Sequence, residues 1–223
     1  MTPLVPEAVY DQYFNALLQG DRAQCKSIAL SLLDQGLHIL VLYEQLFRRS
    51  LYDIGELWAN GLISIAEEHI ATAVTESLIS QLHEPGIGNG TDSRRVIISC
   101  VTSDLHQIGA RMAANLFESH GWESYYLGAN MPITDLLDAI DRVQPHVICL
   151  SLALIEHLKI LTVTIREIQL RHPRTPIVVG GGAFGNMHSH DQIEFQNVHV
   201  LQSVIELERF ISSFGESRES PFT

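Results

Sequence analysis

The sequence predicts an α + α/β protein: an N-terminal four-helix bundle followed by a flavodoxin-like (Rossmann-like), doubly wound sheet of five parallel strands. Three observations predict it. Apolar residues recur at helical spacing from Pro6 to about His83, a stretch dense in turn formers then runs from Glu84 to Ser93, and short β-rich runs alternating with helical ones fill the remainder. The expected organisation is a helical bundle over 1–84, a linker over 85–94 and an α/β domain over 95–223.

In the helical part, Gly20-Asp21, Asp34-Gln35-Gly36 and Asn60-Gly61 punctuate the periodicity and divide it into four helices. In the third, Phe47, Leu51, Ile54 and Trp58 fall at i, i+4, i+7 and i+11, which predicts that Trp58 lies on the stripe facing the other elements. The fourth opens on Ser64-Ile65-Ala66-Glu67, a capping box in which each side chain satisfies the other residue's free backbone N–H. Glu68 and His69 therefore sit in its first turn, with His69 on a seam with Ala66, Ala73 and Val74.

Beyond residue 94 the runs RVIISCVT, SYYLG, HVICLSLAL, PIVVGGG and VHVLQS read as strands, separated by helical segments that begin near Gln107, at PITDLLDAIDRV and before Arg171, with a closing helix at the end. Strands alternating with helices imply right-handed crossovers and parallel pairing. Such a sheet binds ligands beyond the C-terminal ends of its strands.

Charged residues make up 18% of the 223 and the net charge is −12, with Lys and Arg scattered; this argues against a direct grip on nucleic acid. Cys25, Cys100 and Cys149 are odd in number and far apart, as expected of reduced core residues in a cytoplasmic protein. The first residues lack the basic and apolar regions of a signal peptide, and no apolar run approaches membrane-spanning length, so no membrane role is expected.

Three segments fall at strand ends that this topology gathers along one edge: Ser103-Asp104-Leu105-His106-Gln107-Ile108-Gly109, Ser151-Leu152-Ala153 and Gly180-Gly181-Gly182. A histidine on such a loop points its imidazole toward a bound group, and a carboxylate two residues earlier accepts the other ring N–H, fixing the tautomer. Glycines at 109, 180 and 181 remove side chains where a large ligand approaches backbone. His106 and Asp104 could also belong to a two-ligand metal site, although no further ligands stand at recognisable spacing, and His188 and His190 read either as a metal pair or as solvated residues at the crevice mouth. A dinucleotide loop is disfavoured, because its glycines should follow the first strand, where Thr102-Ser103-Asp104 stands.

Asp-x-His-x-x-Gly, then Ser after 41 intervening residues, then Gly-Gly with 26 residues between Ala153 and Gly180, resembles the cobalamin-binding domain shared by methionine synthase, base-off mutases, corrinoid methyl carriers and cobalamin-dependent photoreceptors. The resemblance implies that His106 is the lower axial ligand of cobalt, replacing the cofactor's own base, and that Asp104 tunes it. It further implies that Leu105, Gln107, Ile108 and Gly109 flank the cofactor, that Ser151 and Ala153 contact its nucleotide tail, and that Gly180, Gly181, Gly182 and Phe184 border the channel for that tail. Ala153 stands where the family usually has Leu or Thr, and Gly182 leaves the glycine register ambiguous by one.

The segment IGELWANGLISIAEEHIATAV resembles the cap of cobalamin-dependent light-sensing transcription regulators, in which a Trp and a later Glu-His pair lie over the upper face of the corrin. Trp58, Glu68 and His69 match those positions; corrinoid carriers have Phe and an apolar-Pro run instead. Two departures stand out. Many of the light sensors have His directly after the Trp, where this chain has Ala59, and the regulators carry an N-terminal DNA-binding helix-turn-helix, whereas this sequence starts at the cap. The resemblance implies a cytoplasmic, non-catalytic sensor of cobalamin. Adenosylcobalamin is the favoured form, ahead of methylcobalamin or hydroxocobalamin, with an output through self-association or a regulatory protein partner in transcription. The alternative is a corrinoid methyl-carrier subunit of a methyltransferase system; a small mutase subunit is a more distant third.

Overall fold

The structure is a computed structural model that describes residues 4–82, 94–184 and 195–214. It divides into two compact units, Met1–His83 and Glu84–Thr223. His188, His190 and nearly all of the expected linker lie outside the described residues.

In the first unit, α1 (Glu7–Leu18), α2 (Arg22–Asp34), α3 (Ile39–Leu42), α4 (Arg49–Ala59) and α5 (Ile65–Leu82) form four helical rods, because α3 and α4 are joined without a break by a π-helical stretch, Tyr43–Arg48. Gly20, Gly36 and Gly61 end three of the rods in the left-handed region, at φ 68°, 86° and 68°. Tyr13, Leu17, Leu42, Leu46, Phe47, Ile54 and Ile79 are buried between the rods. The capping box forms: the Ser64 N–H donates to Glu67 Oε2 at 2.7 Å and the Glu67 N–H to Ser64 Oγ at 3.3 Å.

Two expectations for this unit need correction. Phe47 and Ile54 are buried, but Trp58, at the end of the same stripe, is 49% exposed, since it sits in the last turn of α4. His69 is 70% exposed in its side chain, and Ala66 and Ala73 are exposed too. The buried face of α5 is Ala71, Val74, Thr75, Leu78 and Ile79, an i, i+3, i+4 set to which Val74 belongs and 66, 69 and 73 do not.

The second unit is a parallel sheet of order β2-β1-β3-β4-β5, with β1 (Arg95–Cys100), β2 (Glu123–Gly128), β3 (Val147–Ser151), β4 (Ile177–Gly180) and β5 (Val198–Val200). The crossovers are α6 (Ile108–Ser119), α7 (Ile133–Val143) and α8 (Leu158–Arg171), and α9 (Val204–Ser213) closes the unit. Helices α7 and α8 contact each other, as do α6 and α9, so the sheet is covered on both faces. The central strands β1, β3 and β4 bury nearly continuous Val/Ile/Leu runs, as parallel sheets do, and Ile97, Ile148, Leu150 and Val179 form one core with Leu136, Ile140, Leu161 and Ile165. Connections leave β1 and β3 in opposite directions along the sheet, which makes the gap beyond their C-terminal ends the switch point where ligands enter.

Candidate functional site

Cys100, Ser151 and Gly180 stand abreast on β1, β3 and β4, so the loops that follow them start from one row at the switch-point edge. From β1 the chain turns through Ser103 in the left-handed region (φ 70°) and brings the Asp104 carboxylate inward, wholly buried, while His106 keeps 58% of its side chain exposed. Asp104 Oδ1 accepts the His106 backbone N–H at 3.0 Å and lies 2.9 Å from His106 Nδ1. Oδ2 accepts the Ala153 N–H at 2.6 Å. The sequence reads as a strand through residue 154, but β3 ends at Ser151; leaving the sheet there frees the Ala153 N–H to reach the carboxylate.

Burial pushes the Asp104 carboxyl up, but hydrogen bonds from the His106 ring, the Ala153 N–H and the His106 N–H outweigh burial and hold it below its ordinary value. It is therefore ionised at neutral pH and can only accept, so we assign the proton of a neutral His106 ring to Nδ1, which leaves the lone pair on Nε2 at the opposite edge of the ring. Cys100 lies beneath, its Sγ 3.6 Å from the His106 carbonyl. Burial, reinforced by the nearby Asp104 charge and partly offset by the Ser151 hydroxyl, pushes its thiol up to about 12.

The glycines divide by role. A Cβ on Gly181 (φ 119°) would stand 2.3 Å from the Leu152 carbonyl oxygen, so the turn after β4 admits no side chain there. On Gly180 it would meet the Leu201 oxygen at 3.2 Å. On Gly109, in the first turn of α6, it would only touch Ser151 Oγ at 3.9 Å, an ordinary contact. The fold itself therefore does not require glycine at 109, although the same contact shows that Ser151 and α6 face each other across the crevice.

Leu105 is exposed beside His106, Gln107 takes the N-cap position of α6 without a side-chain capping bond, and Ile108 opens the helix. Phe184, expected at the crevice, is instead wholly buried in the apolar core at the end of the short 3-10 turn Gly182–Phe184. In the helical unit, Glu68 accepts the Thr72 hydroxyl at 2.8 Å and lies 3.5 Å from His69 Nε2. Trp58 on α4, Leu62 in the connection and Ile65 on α5 are 49%, 70% and 55% exposed.

Four site residues escaped the sequence reading. Asn130 and Met131, after β2, hydrogen-bond the loop that carries Asp104; Arg111 lies over the Tyr126 ring at 4.0 Å, with the Tyr126 hydroxyl 3.3 Å from Gln107 Oε1. The signal for Asn130 was available in Gly128-Ala-Asn-Met-Pro132, a turn sequence directly after a strand.

Family models described as B12 binding domain match residues 94–200 and, separately, residues 9–83. The chain is a cobalamin-binding domain protein. Its HTH-type transcriptional repressor relative CarH of Myxococcus xanthus is 28% identical over 163 residues, covering 72% of this chain and 52% of that protein. Methionine synthase of Mycobacterium leprae (strain TN) is 24% identical over 139 residues, covering 58% of this chain and 11% of that enzyme. This cobalamin-binding chain thus spans about half the length of the first relative and about a tenth of the second. The solved monomethylamine corrinoid protein of Methanosarcina barkeri shares the fold, with TM-score 0.73 over 92% of this chain and 97% of that one at 12% identity. No helix among the described residues is long and apolar enough to cross a membrane.

Proposed function

We propose that this protein is a cobalamin sensor that acts by self-association or through a protein partner in transcriptional regulation. It holds adenosylcobalamin and responds to loss of the upper ligand, with light as the trigger. In this reading His106 ligates cobalt from below through Nε2 and Asp104 fixes its tautomer and tunes its donor strength. Ser151, Gly180 and Gly181 accept the nucleotide tail, and Trp58, Glu68 and His69 attend the upper ligand.

The residues fit the group. A metal already ringed by the four nitrogens of a corrin needs one protein ligand, and among the described residues no three His, Cys, Asp or Glu side chains converge to hold a bare ion. His106 is exposed at the switch-point edge with its tautomer fixed, and Gly109 keeps the crevice open at a position where the fold has no need of glycine. When bound, the cobalamin would supply a cobalt–carbon bond that light can cleave. The protein's part is to hold one face and to gain or lose contacts when the other changes, the differential binding that a switch requires.

The observation that carries the sensor reading is the half-exposed Trp58, with Leu62 and Ile65 exposed close behind it in the chain, an aromatic surface suited to covering a bulky apolar upper ligand. The repressor relatives support it.

The test is an absorption spectrum of the protein loaded in the dark with adenosylcobalamin, taken before and after green light, with size-exclusion chromatography of both samples. A light-dependent spectral change accompanied by a change in size supports the sensor. Binding without any light-dependent change in assembly favours a corrinoid methyl carrier. His106→Ala should abolish the His-ligated spectrum and weaken binding, and an unchanged spectrum would move the ligand elsewhere.

A further inference from the structure

The loop that delivers Asp104 and His106 is not self-supporting. It hangs from the connection between β2 and α7 by three hydrogen bonds: the Thr102 hydroxyl donates to the Met131 carbonyl at 2.7 Å, the Ser103 N–H to Asn130 Oδ1 at 2.9 Å, and the Asn130 N–H to the Asp104 carbonyl at 3.1 Å. Two of the three involve Asn130. Ser103 and Asn130 face each other with both backbones in the left-handed region, φ 70° and 52°, where residues other than glycine seldom stay without local hydrogen bonds. Asn is among the few side chains that tolerate that conformation while offering an acceptor to a neighbouring N–H.

The clamp acts on the residues immediately before the ligand. Ser103 and Asp104 set the direction in which the carboxylate enters the protein, and the carboxylate in turn holds the His106 ring and the His106 N–H. With the far oxygen of Asp104 fixed to the Ala153 N–H, the loop is pinned at both ends, and a shift at Asn130 passes through the backbone to the imidazole. We propose that Asn130 is a positioning residue for the axial ligand: its side-chain acceptor and its own N–H hold Ser103 and Asp104 so that His106 is presented to cobalt already oriented. This inference rests on His106 being the cobalt ligand, as proposed above. Asn130 touches neither the metal nor, in this account, the corrin. It lies on a different loop from every residue of the Asp-x-His-x-x-Gly motif.

The experiment compares the full chain, loaded with hydroxocobalamin or adenosylcobalamin, as wild type, Asn130→Asp, Asn130→Gly and Asn197→Gly. Asn130→Gly keeps the left-handed backbone and the N–H but removes the acceptor, whereas Asn130→Asp keeps both. Asn197, also left-handed at φ 60°, sits in the turn before β5, and its glycine variant controls for a general effect of this substitution on stability. Losing one hydrogen bond should lower the ratio of His-ligated to His-free cobalamin in the absorption spectrum by about threefold to tenfold in Asn130→Gly. Asn130→Asp and Asn197→Gly should match wild type in that ratio, and the melting temperature of the cobalamin-free Asn130→Gly protein should move no more than that of Asn197→Gly. A His-ligated wild type with an unaltered ratio in Asn130→Gly overturns the positioning role while leaving His106 as ligand. A wild type with no histidine ligation overturns the underlying reading and this inference with it.

Discussion

Asp104 Oδ1 lies 2.9 Å from Nδ1 of His106, a contact between a wholly buried carboxylate and a largely exposed imidazole. That carboxylate accepts from three donors: the ring, the His106 N–H and the Ala153 N–H. The pair therefore joins the β1 loop to the β3 loop through one acceptor-only group.

Asp104→Asn should disrupt both loops, because the new NH2 must face one of those donors. We expect a loss of about 1–3 kcal/mol in the cobalamin-free protein, measured by urea unfolding at neutral pH, and a smaller His-ligated fraction on loading. Unchanged stability would mean that the buried contacts are weaker than their geometry implies.

Gly181→Ala and Gly109→Ala should behave oppositely. The first places a Cβ against the Leu152 carbonyl at an intolerable 2.3 Å on a left-handed backbone, and should destabilise the cobalamin-free protein by about 3 kcal/mol or more. The second has room and should leave stability unchanged or raise it by up to about 1 kcal/mol, while weakening cobalamin binding in a titration. Full binding by Gly109→Ala would remove that glycine from the site.

Trp58→Ala should change unfolding free energy by less than about 1 kcal/mol, since half of the side chain is already in water, but should weaken binding of adenosylcobalamin more than that of hydroxocobalamin. Ile54→Ala, one turn earlier and buried, should cost about 2–5 kcal/mol. Equal binding of both forms by Trp58→Ala would take the tryptophan away from the upper ligand.

Cysteine labelling gives an independent check of the two cores. Burial foremost raises the Cys25 thiol to about 11 and the Cys100 and Cys149 thiols to about 12. A raised thiol has less thiolate at any working pH, so at pH 8 all three should resist a thiol reagent in the native protein and react together on unfolding. Fast native labelling of Cys100 would show that the floor of the crevice opens.

The order of elements was legible in the sequence because each carries its own period: helical spacing before residue 84, short Val/Ile-rich runs after 94, and glycines at the turns. The Asp104–His106 contact was legible for a similar reason, both residues lying on one short loop. Trp58 and His69 were misplaced because their burial depends on where neighbouring rods end and on the phase of α5, which no local pattern records. Asn130 was missed because its partners are 26 and 27 positions earlier in the chain and its role exists only once β1 and β2 are paired.

The π-helical stretch Tyr43–Arg48 holds one residue more than an α-helix would need to cover the same rise. Each hydrogen-bonded turn of a π-helix takes in one residue more than a turn of an α-helix, so deleting a single amino acid there would restore ordinary winding and leave α4 with nearly the same face toward the core. The same deletion inside α4, between Arg49 and Asp53, has no spare residue to remove and would swing Ile54 and Trp58 by about 100°. The aim of the tryptophan is thus insensitive to chain length on one side of Arg49 and set by it on the other.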